Sequence, residues 1–164
     1  MVGPLLRIRG ALIEAAAVAP DSVTITGVDL VDYFHDAPGA RPELIAASIA
    51  SWQPARRYDL ITCVHGLHYI GDKLDLLARV AEWLTPGGRF VADFDVASVL
   101  IRNHRTSVAT VLRRAGFGYD SRRKLLCRDG GGDVGFAYRY LGADDRAGPN
   151  YTGQPAVVSY YEPV

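Results

Sequence analysis

Apolar residues recur at Leu5, Ile8, Leu12 and Ala16, three or four apart, with an alanine-rich end before Pro20. That period predicts an amphipathic helix over residues 5–18, stopped by proline. Val23-Thr-Ile-Thr-Gly-Val28 is a short β-branched run and reads as a strand, with Asp29 directly behind it. Residues 36–42 hold Pro38, Gly39 and Pro42 and read as loop. Residues 44–49 are apolar and short enough for a buried strand. Residues 58–64 make a stronger one, set between Arg56-Arg57 and Gly66. Asp72 suits the cap of a helix carrying Leu74, Leu77, Val80, Ala81 and Leu84, which Thr85-Pro-Gly-Gly88 then ends. Residues 89–94 return to strand character, and residues 96–115 are mostly helical in period, closed by Gly116.

The tail changes character. Residues 124–128 and 134–141 are strand-like and joined by Asp129-Gly-Gly-Gly-Asp133, which predicts an antiparallel hairpin. One more strand fits residues 157–161 in a loop-rich end. Strands alternating with helices, then a hairpin, predict a single α/β domain over residues 1–164: a mostly parallel sheet with a C-terminal antiparallel hairpin.

Composition narrows the function classes. The 164 residues are 49% apolar and 22% charged, which excludes wholesale disorder. Eighteen basic residues balance eighteen acidic ones, so no overall field draws the chain to nucleic acid or a membrane surface, and neither is an expected partner. No uncharged apolar run is long enough to span a membrane. Residues 1–13 carry Arg7 and Arg9 and no small-residue cleavage site, unlike a signal peptide. Cys63 and Cys127 read as reduced thiols in a cytoplasmic protein.

In an open parallel sheet, ligands bind beyond the carboxyl ends of the strands. Asp29-Leu30 stands at the first such end. A carboxylate there suits two ribose hydroxyls, and it equally suits capping the next turn. Ser48-Ile49 at the second end offers a hydroxyl and an apolar cover for a ring, or simply continues the strand. Val64-His-Gly-Leu-His-Tyr69 follows the third strand, where Gly66 lets backbone approach a ligand. His65 and His68 have no third metal ligand nearby in sequence, so no metal is expected. Asp93 and Asp95 alternate at the end of the next strand and are candidates for orienting a substrate. Arg113, Arg114, Arg122, Arg123 and Lys124 read as a solvated basic cluster, and Tyr151 as a candidate substrate lid.

Tyr58-Asp-Leu-Ile-Thr-Cys-Val-His-Gly-Leu-His-Tyr-Ile70, a helix, and Leu84-Thr-Pro-Gly-Gly-Arg-Phe-Val-Ala-Asp93 together resemble the class I S-adenosylmethionine-dependent methyltransferases. The resemblance spans roughly residues 5–141. It implies a Rossmann-like three-layer sandwich and methyl transfer from S-adenosylmethionine to a small-molecule acceptor. On it, Asp29 and Leu30 hold the cofactor ribose, and Ser48 and Ile49 flank the adenine, where the family usually has Asp. Val64, His65 and Gly66 line the methionine end, His68 is the candidate base, and Tyr69 faces the substrate. The family's first strand and Gly-x-Gly loop have no counterpart before the helix at Leu5, where Met1-Val-Gly-Pro4 stands, so the fold is expected to be an amino-terminally truncated form. Residues 23–28 and 58–64 then each lack a neighbour in mid-sheet. A competing class follows: a non-catalytic, methyltransferase-like remnant that binds a partner or forms a homodimer through those edges.

Overall fold

The computed structural model describes residues 23–30, 42–103, 105–149, 151, 153 and 156–164. It divides into two compact units, Met1–Gln53 and Pro54–Val164. The helix predicted over residues 5–18 and nearly all of the loop at 36–42 lie outside the described residues.

In the first unit, β1 (Thr26–Asp29) and β2 (Glu43–Ala46) pair in parallel, from Thr26 opposite Glu43 to Asp29 opposite Ala46. Thr26 Oγ1 donates to Glu43 Oε2 across the pair at 3.1 Å. Strand β2 ends before residue 49 because the chain turns: Ser51 N and Trp52 N both donate to Ser48 O, at 3.0 and 2.8 Å.

The second unit begins with β3 (Tyr58–Cys63), α1 (Lys73–Trp83) and β4 (Leu84–Asp93), a parallel strand pair joined through a helix. Asp72 caps α1, its carboxylate accepting from Asp75 N at 3.1 Å. Leu74, Leu77, Val80 and Ala81 bury one helix face, and Phe90, Ala92 and Phe94 bury alternate positions along and just past β4. There follow β5 (Val99–Ile101), α2 (Val108–Arg114), β6 (Gly118–Asp120), β7 (Leu125–Asp129), β8 (Tyr138–Asp144) and β9 (Val158–Pro163). Two sheets result, ordered β3-β4-β7-β6 and β5-β9-β8. Parallel and antiparallel pairings are mixed, and the fold is α/β. Among the described residues, no strand pairs with the second edge of β1 or of β3. No described helix is long and apolar enough to cross a membrane.

Three local expectations are corrected. Residues 96–115 are not one helix: a 3₁₀ turn over Val96–Ser98 leads into β5, and helix returns only at Val108. Residues 99–101, β-branched at two of three positions, are taken by β9 in register Val99–Ser159 to Ile101–Tyr161, a partner distant in sequence. Long-range pairing overrides local period here. The antiparallel hairpin has different members from those expected. Strand β7 turns back on β6, where Asp120 Oδ1 accepts from Arg122 N and Arg123 N at 2.9 and 3.1 Å; β8 pairs with β9.

The third correction explains the second. The glycine run does not turn a hairpin; it seats on the beginning of β4. Gly130 N donates to Gly88 O at 2.8 Å, Gly131 N to Thr85 O at 2.9 Å and Gly132 N to Ala81 O at 3.0 Å. A Cβ on Gly131 would stand 2.1 Å from Leu84 O, so only glycine fits that approach. The Leu84-Thr-Pro-Gly-Gly88 segment accordingly belongs to β4 itself, and its strand begins at Leu84 rather than at Arg89.

Candidate functional site

In the first unit, Asp29 closes β1 and Ala47 N donates to Asp29 O at 2.9 Å, which brings residues 47–49 beside the carboxyl end of the strand pair. Ser48 and Ile49 stand in the turn after β2, and Leu30 is 72% exposed. A carboxylate, a hydroxyl and two apolar side chains thus share one end of this small sheet. Their chemistry fits an adenosyl group: the carboxylate accepts from vicinal hydroxyls and the hydroxyl meets a purine edge.

In the second unit the carboxyl ends of β3 and β4 carry the titratable side chains. After Cys63 the chain passes the exposed Val64 and enters a left-handed backbone conformation at His65, φ 60°, which starts the 3₁₀ turn Gly66–Tyr69. The turn folds back so tightly that a Cβ on Gly66 would lie 2.8 Å from Cys63 Sγ. Gly66 therefore answers first to its own chain. Burial pushes the Cys63 thiol up to about 11, which keeps it protonated and inert as a nucleophile. Both Cys63 and Cys127 are free thiols.

His65 Nδ1 lies 3.8 Å from Asp93 Oδ2, a charge contact when His65 is protonated and too long for a hydrogen bond. The His68 ring is 6.0 Å from that of His65 and meets Tyr151 edge-on at 5.7 Å. His68 is 1% exposed, and among the described residues its Nε2 has no hydrogen-bond partner. Burial, then the neighbouring His65, lowers its pKa below the usual 6.5, partly opposed by Asp95 and Asp93. An imidazole in that state is neutral near pH 7 and keeps one nitrogen open to accept or hold a proton. Tyr69, in the same turn, is exposed.

A strut from the far end of the chain holds this turn. Val157 N donates to His68 O at 2.8 Å. Lys73, fully buried, donates from Nζ to Ile70 O (2.8 Å), Val157 O (2.7 Å) and Ser159 Oγ (2.9 Å). Tyr161 donates to Asp72 Oδ1 at 3.0 Å and accepts from Leu74 N at 3.1 Å. Strand β9 thereby fastens both the helix start and the histidine turn.

Asp93 ends β4, whereas Asp95 lies past the strand and caps the following turn, accepting from Ala97 N at 3.1 Å. Lys124 Nζ is 3.9 Å from Asp95 Oδ1 and 6.0 Å from the centre of the Tyr151 ring. Tyr119 donates to Phe94 O at 3.2 Å close by. The structure thus gathers His65, His68, Asp93, Asp95, Lys124 and Tyr151, of which the sequence pointed to the histidines, the two aspartates and, as a lid, Tyr151. Lys124 was hidden inside a basic run that otherwise lies exposed, and nothing in that run sets it apart; in the structure it is half-buried with a φ of 55°. Among the described residues no group of His, Cys, Asp and Glu suits a metal ion. A surface depression lined by Asp145, Arg146, Gly148, Pro149 and Gly153 shares none of these side chains.

The family described as "Methyltransferase domain" matches residues 9–124 of this chain. Among solved structures, the N-methyltransferase NodS from Bradyrhizobium japonicum WM9, in complex with S-adenosyl-L-homocysteine, is similar at 16% identity. That match covers 76% of this chain and 86% of NodS, with a TM-score of 0.39. No curated protein sequence matches the chain.

Proposed function

The chain belongs to the methyltransferase-domain family, and on that premise we propose that it transfers a methyl group from S-adenosylmethionine to a small-molecule acceptor. The carrying observation is the family match across residues 9–124, with His68 Nε2, which has no hydrogen-bond partner among the described residues, beside the carboxyl ends of β3 and β4 as its local support. On this reading, in the first unit Asp29 and Leu30 would serve the ribose and Ser48 and Ile49 the adenine, and in the second unit Val64, His65 and Gly66 would serve the methionine end. When bound, the donor supplies an electrophilic methyl: the acceptor's lone pair forms the new bond, the S–CH₃ bond breaks, and its electron pair stays on sulfur.

The chain's own residues supply position and proton handling. Placing the acceptor in line with the methyl is the larger share of such catalysis. His68, neutral at working pH, takes a proton from the acceptor where one must leave, and Tyr69 borders the acceptor. The two free thiols suit a cytoplasmic setting.

Titration calorimetry with S-adenosylmethionine and S-adenosylhomocysteine tests the reading. Binding in the micromolar range is expected, weakened at least tenfold in Asp29→Ala. A folded sample that binds neither compound refutes it.

A further inference from the structure

The cluster at the ends of β3 and β4 is unbalanced in a particular way. Asp93 and Asp95 bring two carboxylates, both largely shielded from solvent, with side-chain exposures of 24% and 13%. The fixed cation among these side chains is Lys124, and at 3.9 Å it falls short of a hydrogen bond to Asp95. His65 offsets Asp93 only when protonated. Lys124 is also the informative member, because its ammonium is an alkylamine of the chain's own, held between a carboxylate and an aromatic face. A carboxylate on one side and a ring on the other is the environment that selects organic cations. The His68 ring meets the same Tyr151 edge-on, and among the described residues its buried Nε2 has no hydrogen-bond partner.

We propose that Asp93, Asp95 and Tyr151 form a recognition niche for a cationic amine, so that the acceptor of the methyl group is a protonated amine and Lys124 marks its seat. This rests on the methyl-transfer reading for the word acceptor; the niche itself does not. The ammonium approaches the two carboxylates and Tyr151 while Lys124, on a flexible stem at an exposed turn, swings out toward water. An ammonium nitrogen has no lone pair, so one proton must leave before it can act as a nucleophile, and His68 Nε2 takes that proton. The amine nitrogen is then free to form the new N–CH₃ bond. Alcohols and carboxylates lack the positive charge that the niche balances.

A matched pair of probes tests this without turnover: 2-phenylethylamine, cationic at pH 7.5, and neutral 2-phenylethanol, each titrated by calorimetry into the full chain with and without saturating S-adenosylhomocysteine. The amine is expected to bind at least tenfold tighter than the alcohol. Asp95→Asn keeps the acceptor oxygen that caps Ala97 and should reduce that preference to about twofold. Lys124→Met removes the internal competitor and should tighten amine binding severalfold, a gain that a merely structural role would not produce. Equal affinities for the two probes, or weaker amine binding in Lys124→Met, overturns the proposal. Loss of amine binding once S-adenosylhomocysteine is present also overturns it, since the niche would then serve the donor's own amino group. If the nucleosides fail to bind while amine selectivity holds, methyl transfer falls and the cation niche stands.

Discussion

Replacing Lys73 by Met tests the most unusual group in the core. The ammonium is fully buried, and the same three oxygens at 2.7–2.9 Å that satisfy it also tie β9 to the histidine turn. Burial pushes its pKa from the ordinary 10.5 down to about 8. Between those values the unfolded chain holds the proton and the folded chain has released it. The unfolded state therefore binds more protons, and stability rises with pH across that window. Each pH unit is worth about 1.4 kcal/mol once the folded lysine is fully deprotonated, so the gain from pH 7 to 9.5 is about 2 kcal/mol. The Cys63 thiol, held up at about 11 against 9.0, works in the opposite direction above pH 9, but equally in both proteins. The difference between wild type and Lys73→Met isolates the lysine. Urea unfolding followed by circular dichroism at half-unit steps from pH 7 to 9.5 should show wild type gaining about 2 kcal/mol on the variant. Parallel stability curves would refute the reasoning and mean that the folded lysine keeps its proton throughout.

Three further outcomes are expected. Tyr161→Phe strips a hydroxyl that accepts from Leu74 N and donates to Asp72, leaving a helix-start N–H without its partner; thermal unfolding should register a loss of about 1–3 kcal/mol. Gly131→Ala forces a Cβ within 2.1 Å of Leu84 O, and because the obstacle is backbone the variant should lose 3 kcal/mol or more, roughly, or fail to accumulate as folded protein. His68→Asn should cut kcat/KM for methyl transfer by about a hundredfold while donor binding in calorimetry stays within about twofold. In wild type the acid limb of the pH–rate profile should lie below 6.5. Burial and the neighbouring His65 and Lys73 depress the His68 pKa, Asp95 and Asp93 only partly restore it, and Tyr151, packed edge-on, is neutral there.

Much of the central segment was legible because its signals are local. Asp72 caps α1 by the short side chain that named it a cap, and the three-and-four spacing from Leu74 to Ala81 is the buried face. The run from Tyr58 to Cys63 is strand because it is apolar and bounded by turns, and Asp29 and Ser48 indeed sit at one end of the β1–β2 pair. What failed depended on distant partners. Nothing within residues 96–115 announces that β9 will claim Val99–Ile101. Glycines in series look like a turn from inside the run; their real constraint, the carbonyls of Leu84 and Thr85, lies across the sheet. Likewise Lys124 approaches Asp95 and Tyr151 only through tertiary packing, so a charge that reads as solvated stands beside a carboxylate and a ring.

The docking of Gly130, Gly131 and Gly132 onto the carbonyls of Gly88, Thr85 and Ala81 has a mechanical corollary. Three amides in a row bridge the last turn of one helix, the entry of one strand and the exit of another, like a zip closing three fabrics at once. None of the three pieces can fray alone without opening that seam. The helix end and both strand ends should therefore open and close as one cooperative block, which keeps that end of β4 rigid, opposite the end beside the histidine turn.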